Sequence, residues 1–528
     1  AWQQHLFLAG QVDAAGEIVT AVWLVLARWG QRDLARALLR PGTVTLLGRS
    51  LALACGVLAI ALVIAVPVAW LVARTDLPGR RLWAVLAALP LVFPSYVAAF
   101  TFVSVLGPRG VLQGWLEPLG VGSLPPLAYG YSGACLVLGL FVYPYLYLLL
   151  VAALRDLDTA GEESSRSLGA GPWRTFFAVV LPRLRPALAG GSLLVVLYTL
   201  SDFGAVSIVR FNTFTVAIYN AYSGLFDRTS AAALAAVLML LAFAAVRLEA
   251  AAAGRLRLAG GRTPRPASPV ELGGWKWPAA TALALLATAN LVLPVGLILF
   301  WAVRARSAGL PLGSAWGAAA NSLLAAAAAA LAAVLLALAV AWWRERHPGP
   351  WATVVERLAR AGYGLPGLVI ALALVFFAAR WARPLYQSLA LLVAAYVIRF
   401  LPEALAAARA ALAAVPARLE EAARSLGRRP AQVLREITLP LMRRGLLAGL
   451  GLVFLTSMKE LPATLILRPI GFDTLATRVW SHAAEGIYSR AAVPALLLVA
   501  VSALPVYLLV IAPALRPRAA ASAPARGR

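Results

Sequence analysis

The residues able to do chemistry in this sequence are charged side chains set inside long apolar runs. Asp202 and Glu460 each stand late in such a run, 258 positions apart, with Lys459 immediately before the second and Arg468 shortly after it. An ionised group at the centre of a bilayer costs about 3 kcal/mol on insertion scales, so neither acid is expected to face lipid. Two readings stay open. The acids line a route for a charged solute, or they are structural, with Glu460 neutralised by Lys459 or Arg399 and Asp202 capping a helix break beside Gly204. Lys459 and Arg468 would equally suit an anionic solute. Arg399 and Glu403, four apart on one helical face, read as an internal ion pair. Pro94 and Pro366 fall inside apolar runs and predict kinks, belonging either to moving walls or to packing.

Other chemistries are poorly supported. Three histidines, His5, His347 and His482, are scattered, and Cys55 and Cys135 both lie in apolar runs. That excludes a disulfide framework or a structural zinc site, and no metal centre is assigned. A G-x-x-x-x-G-K-[ST] phosphate loop is absent from a chain whose lysines are Lys276 and Lys459, so no ATP is expected to bind this chain. No convergent His/Asp/Cys set points to an enzyme.

The elements that must position these groups are membrane helices. Apolar residues make up 62% of the 528 and charged ones 13%, far from soluble proportions. Runs of about 20 apolar residues, enough for a ~30 Å core, occur near 50–73, 82–107, 128–154, 187–209, 230–246, 278–303, 318–343, 361–379, 385–408, 445–467 and 491–514. A twelfth, weak or truncated, is expected near Ile18 to Ala27; the chain opens on Ala1 rather than Met, and its natural start is expected upstream. The alanine-rich stretch from Ala318 to Ala341 reads as close helix packing.

The net charge of +25 is carried mostly by alternate loops, at 74–81, 155–185, 247–276, 344–360, 409–444 and 516–528. Basic residues stay on the cytoplasmic side, which predicts a cytoplasmic C-terminus and contact with anionic lipid. Arg28, Arg32, Arg36, Arg40 and Arg49 fit this orientation poorly. Dense basic tracts with interleaved aromatics, the mark of a nucleic-acid surface, are missing.

The chain also repeats itself. Glu163-Ser-Ser-Arg-Ser-Leu-Gly169, Pro172 and Leu181-Pro182 recur 258 residues later as Glu421-Ala422-Ala423-Arg-Ser-Leu-Gly427, Pro430 and Leu439-Pro440. An offset of 272 pairs Trp70 with Trp342 and Pro94 with Pro366; 261 pairs Asn212-Thr213 with Asp473-Thr474. The expected fold is an all-α polytopic membrane protein of two homologous six-helix halves related by a pseudo-twofold axis along the membrane normal. The halves are 1–247 and 278–515, the glycine- and proline-rich segment 248–277 is a cytoplasmic linker, and 516–528 is a basic tail. Within the basic loops 155–186 and 413–445 the repeat reads as helix, turn, helix. Gly169 and Gly427 supply positive φ, Pro172 and Pro430 open the second helix, and Leu181-Pro182 and Leu439-Pro440 end it.

At these residues the chain resembles the inner-membrane permease subunits of binding-protein-dependent ATP-binding cassette importers, whose loop pattern is Glu-Ala-Ala, Gly four residues on, then Leu-Pro. The second copy matches fully; the first has Glu-Ser-Ser. The segments Lys459–Trp480 and Ser201–Tyr219 are similar to those of fused ferric-iron permeases, and thiamine and phosphonate permeases share the layout. The resemblance implies that Glu163, Gly169, Leu181, Pro182, Glu421, Ala422, Ala423, Gly427, Leu439 and Pro440 form coupling loops on two copies of an ATP-binding cassette subunit, which would use the ATP and Mg²⁺. It implies a periplasmic substrate-binding protein, a bacterial inner-membrane location, and a small solute, ferric iron first; if the charges within the spans serve that solute, Asp202, Lys459, Glu460 and Arg468 are the residues along its route. Asp202 and Glu460 would lie near the outer end. An ion-coupled secondary transporter is the rival of a different class, and the duplicated loop argues against it.

Overall fold

The computed structural model describes residues 41–108, 110–119, 127–158, 160–253, 269–309, 313–347 and 349–507. The expected weak span near Ile18, residues 254–268 of the linker and the basic tail lie outside them.

Among the described residues ten helices are long and apolar enough to cross a membrane, and an eleventh, Gly367–Trp381, is apolar but shorter. They account for the eleven apolar runs. Their order repeats. Pro41–Arg74, Ser95–Leu106, Gly130–Asp156, Ala160–Ser167, Leu181–Ser201, Gly204–Ile208, Phe214–Tyr219 and Arg228–Ala253 are matched by Gly313–Arg346, Gly367–Trp381, Leu389–Ala413, Ala417–Ser425, Leu439–Met458, Pro462–Leu467, Leu475–Ala484 and Tyr488–Val506.

Each half is built on three helices that pack along one another. Pro41–Arg74 lies against Gly130–Asp156 and Leu181–Ser201, and Gly313–Arg346 lies against Leu389–Ala413 and Leu439–Met458. Ala326, Ala329, Ala330, Ala333 and Ala337 are fully buried in the second trio, because a methyl side chain lets two backbones approach closely. The halves interlock. The span Gly273–Ser307 packs on Tyr488–Val506, both reach the first half's Ser95–Leu106, and Arg228–Ala253 packs against Gly367–Trp381 of the second half. Large apolar side chains left on the outside, such as Val63, Leu285, Val303 and Leu447, suit a lipid surround.

Three expectations change. First, the runs 82–107 and 361–379 do not kink at their prolines; they break there. Pro94 and Pro366 are extended N-caps of Ser95–Leu106 and Gly367–Trp381, each preceded by a 3-10 turn, Leu89–Val92 and Gly362–Gly364. Second, Leu181-Pro182 and Leu439-Pro440 do not end a helix. A π-helical turn, Phe176–Val180 or Leu434–Thr438, carries the chain straight through, with the Leu181 and Leu439 N–H groups bonded five residues back to Phe176 and Leu434. The wider turn gives the proline ring room without breaking the helix. Third, the linker is shorter than expected at both ends, since helix runs to Ala253 and resumes by Gly273–Trp275.

The returning linker is strapped to the first half. Val270 N–H donates to the Arg74 carbonyl at 2.8 Å and Asp76 N–H to Val270 at 3.1 Å, while Asp76 accepts from Leu272 N–H at 3.0 Å and pairs with Lys276 at 2.7 Å. The hydrogen bond from Lys276 holds the Asp76 carboxyl below the usual carboxylate range.

Candidate functional site

Two regions carry the residues singled out above, one at the loop end of the bundle and one between the halves. At the loop end, Ala160–Ser167 and Ala417–Ser425 each close on glycine at φ 81°. Gly169 N–H donates to Arg166 at 2.9 Å and Ala170 N–H to Ser165 at 3.1 Å; Gly427 and Arg428 repeat the two bonds to Arg424 and Ala423 at 2.9 and 3.1 Å. That is a Schellman close, which needs a left-handed residue and so favours glycine. A side-chain carbon added at either position would meet nothing within 4 Å, so backbone conformation alone demands glycine.

Around these turns the surface is apolar where it is most open. Leu168 is 88% exposed and Leu426 83%, each directly before its glycine. Glu163, Glu421 and Ala422 lie on the exposed side, whereas Ala423 is buried against the body. The acids buried in the fold are their predecessors. Glu162 accepts from Arg74 Nη2 at 2.6 Å, and Glu420 pairs with Arg346 and accepts from Thr438 Oγ1 at 2.9 Å. Sequence reading passed over them, although the doubled acids Glu162-Glu163 and Glu420-Glu421 recur at the loop offset of 258.

Between the halves, both long helices that follow the loops stop at matched points. Leu181–Ser201 ends at Asp202 and Leu439–Met458 ends at Lys459, each followed by a short helix. The carboxylates restart the chain. Asp202 Oδ1 accepts from Ala205 and Val206 N–H at 2.9 and 3.3 Å; Glu460 Oε1 accepts from Ala463 N–H at 3.1 Å. Thr215 Oγ1 donates to the Asp202 carbonyl at 2.6 Å, and Thr464 Oγ1 to the Glu460 carbonyl at 2.5 Å. Both acids are buried, and both serve the structural role of helix restart.

The remaining charges belong to the second half. Arg399 Nη1 contacts Glu460 at 3.2 Å, so its partner is Glu460, and the expected pairing with Glu403 is replaced by a hydrogen bond from Thr456 to Glu403 at 3.2 Å. The helix break at Lys459 brings Glu460 into the guanidinium's reach, which the i, i+4 argument did not include. Lys459 likewise turns away from Glu460: its Nζ donates to the Leu91 carbonyl of the first half at 2.5 Å. Arg468 does not join this group. It pairs with Asp473, which also takes Arg478 at 2.8 Å.

Tyrosines complete the group. The rings of Tyr145 and Tyr198 lie 5.5 Å apart, Tyr396 Oη donates to Thr464 Oγ1 at 2.5 Å, and Tyr96 Oη reaches the Lys459 carbonyl at 3.5 Å. Gly204 is wedged where a side chain would strike Tyr96 of its own half and Leu461 of the opposite half. Trp480 Nε1 donates to Ser207 across the same seam at 2.8 Å. The arrangement is a closed, oxygen-rich seam with three carboxylates, one guanidinium and one ammonium. It can hold and release a charged solute if the halves part; it presents no aligned nucleophile and base. Among the described residues no group of three or more His, Cys, Asp or Glu side chains could hold a metal ion.

Comparison with known proteins finds the same duplication. The family model described as binding-protein-dependent transport system inner membrane component fits the chain twice, over residues 61–258 and 331–518. The chain is 33% identical over 481 residues to the Fe(3+)-transport system permease protein FbpB 2 of Haemophilus influenzae, covering 89% of this chain and 90% of that protein. Shorter similarities reach the molybdenum transport system permease protein ModB of Azotobacter vinelandii, 32% over 161 residues (30% of this chain, 70% of that protein), and the sulfate transport system permease protein CysT of Escherichia coli, 32% over 144 residues (27% and 50%).

Proposed function

Because the chain belongs to the binding-protein-dependent transport system inner membrane components, as a fused permease with both halves in one polypeptide, we propose that it is the membrane path of an ATP-driven importer of ferric iron. It is a transport subunit, multi-pass in the inner membrane. In this reading two copies of an ATP-binding cassette subunit seat against the loops closed by Gly169 and Gly427, hydrolyse ATP with Mg²⁺, and drive the seam between inward and outward openings. A periplasmic binding protein delivers cargo to the opposite end. The loop end and the C-terminus are then cytoplasmic, and the chain itself binds no nucleotide.

The observation that carries the cargo is the similarity to an iron permease over 89% of this chain, against partial similarities to molybdenum and sulfate permeases. In this reading the carboxylates Asp202, Glu403 and Glu460 meet the ion in passing as the halves part, with the hard oxygen donors a small trivalent cation prefers over sulfur or imidazole; in the closed seam they form no set that could hold a metal ion. Lys459 and Arg399 offset their charge while the seam is closed. The route is assigned to Asp202, Lys459 and Glu460. Arg468, tied to Asp473, stands beside it as a strut.

The experiment is binding of ferric iron, thiamine and phosphonates to the cognate periplasmic protein, followed by uptake into vesicles carrying the whole assembly. Iron-specific binding and ATP-dependent iron uptake are expected. Uptake driven by an ion gradient without any ATPase would replace this reading with a secondary transporter.

A further inference from the structure

The first core helix of each half is fastened at both ends, in the same way in both halves. At the loop end, Arg74 closes the Pro41–Arg74 helix and Arg346 closes Gly313–Arg346. Arg74 holds Glu162 in the first turn of one loop helix, and Arg346 holds Glu420 in the first turn of the other. Both acids are buried, with side chains 8% and 3% exposed, so these are not loose surface pairs. At the far end, Ser50 Oγ accepts from Phe214 N–H at 3.3 Å, and Ser322 Oγ accepts from Leu475 N–H at 2.8 Å. Phe214 and Leu475 are the opening residues of the short helices Phe214–Tyr219 and Leu475–Ala484. The spacing is identical: 24 residues separate Ser50 from Arg74 and Ser322 from Arg346, roughly 36 Å of helix at 1.5 Å per residue.

We propose that the Pro41–Arg74 and Gly313–Arg346 helices are connecting rods that carry displacement of the two loop helices to the far end of the seam, with Arg74–Glu162 and Arg346–Glu420 as the loop-end joints and Ser50 and Ser322 as the far-end joints. The inference rests on the ATP-driven reading above. Both helices are continuous, the first running through Pro67 at the loss of one backbone hydrogen bond, so each is stiff along its axis, and a buried ion pair resists separation because parting it strands two charges away from water. A push on a loop helix therefore moves its rod rather than stretching the joint. The joint can also turn. Arg74 Nε and Arg346 Nε are both buried with no hydrogen-bond partner, a spare donor in each guanidinium that lets its carboxylate rock without leaving the pair. At the far end the helix that begins at Leu475 carries Trp480, which bonds Ser207 across the seam, so movement there bears on the contact between halves.

Arg74, Glu162, Arg346 and Glu420 are positioning residues, acting on the seam through the rods. The test uses the complete assembly in nanodiscs with Cys55→Ser, Cys135→Ser and a reporter Ser207→Cys, whose maleimide labelling rate is read with and without ATP and vanadate. The otherwise unaltered assembly is expected to show a nucleotide-dependent change in rate of about fivefold or more, the span of ordinary allosteric coupling. Glu162→Gln with Glu420→Gln, and separately Ser50→Ala with Ser322→Ala, should reduce that change to less than about twofold while ATP hydrolysis continues. The exchanged pairs, R74E with E162R and R346E with E420R, should restore it.

If the reporter never responds to nucleotide even before these substitutions, the ATP-driven reading falls. If it responds and both variant sets respond equally, the rods are not the link. If the glutamine variants fail to assemble and the serine variants keep the full response, the joints hold the fold alone and the proposal is overturned.

Discussion

Lys459 Nζ stands 2.5 Å from the carbonyl oxygen of Leu91, an ammonium of the second half donating to backbone of the first. That carbonyl has no helical donor three residues on, where Pro94 lacks an N–H, so the break in one half creates the acceptor that the other half's charge fills. The bond crosses the seam that opens in the proposed transport cycle. Lys459→Met should therefore weaken closure and also remove one of the two cations near Glu403, leaving Arg399. A hydrogen bond to a charged group is worth about 1.5–3 kcal/mol, so an order of magnitude or more in uptake is expected to go, with the assembly still purifying intact. Vesicle uptake and gel filtration, run side by side, check this; full uptake in Lys459→Met would remove the cross-seam bond from the mechanism.

Glu460 and Arg399 are separable into structural and transport roles by comparing one lost partner with two. Glu460→Gln strands the guanidinium, and removing one member of a buried pair costs about 3–5 kcal/mol. Replacing both, Glu460→Gln with Arg399→Met, should return thermal stability close to the original. Iron uptake in the stable double variant is then the informative number. A loss of at least about tenfold is expected, since the route would be short of one carboxylate. Normal uptake would leave the pair as scaffold.

Asp202 can be dissected in the same spirit, because its restart of the chain needs an acceptor and its transport role needs a charge. Asn keeps an oxygen for Ala205 and Val206 N–H; Ala does not. Asp202→Ala should lose about 1 kcal/mol of stability and Asp202→Asn only a few tenths. Uptake that falls in both variants alike, despite the intact fold of Asp202→Asn, would mark the charge as the transported ion's contact. Normal uptake in Asp202→Asn would confine the residue to capping.

How much of this was legible in the sequence follows from the range of each interaction. Spans and halves were readable, because a bilayer demands some twenty apolar residues wherever a helix crosses it and a duplication leaves constant offsets such as 258 and 272. The glycine turns were readable too, since positive φ has a residue preference. Breaks at Asp202 and Lys459 were not fixed by hydropathy: 187–209 and 445–467 stay apolar through them, and the alternative of a cap at Asp202 could only be left open. Partners were least legible. Lys459 meets Leu91 from 368 positions away and Trp480 meets Ser207 from 273, with no local pattern to announce either. Glu162 and Glu420 are the instructive case: the doubled acids repeat at 258, yet their partners Arg74 and Arg346 lie 88 and 74 positions away, with no local pattern to tell the buried acid from the exposed one.

Gly169 and Gly427 give the sharpest test of the loops, since both sit at φ 81° with open space around them. A β-branched residue there meets no clash; it pays only for the left-handed backbone, about 1–2 kcal/mol at each site. The turn should answer by unwinding, tilting Leu168 and Leu426 off the surface they present. Asn tolerates that conformation better than Val, so the pair Gly→Asn and Gly→Val separates geometry from bulk. With both glycines changed to Val, the ATPase subunits should no longer co-purify or their hydrolysis should cease to drive uptake; with both changed to Asn, most of the coupling should remain. Equal loss in the two doubly substituted proteins would point to side-chain volume at the docking surface, and undiminished coupling in both would show that the glycine turns do not seat the motor subunits.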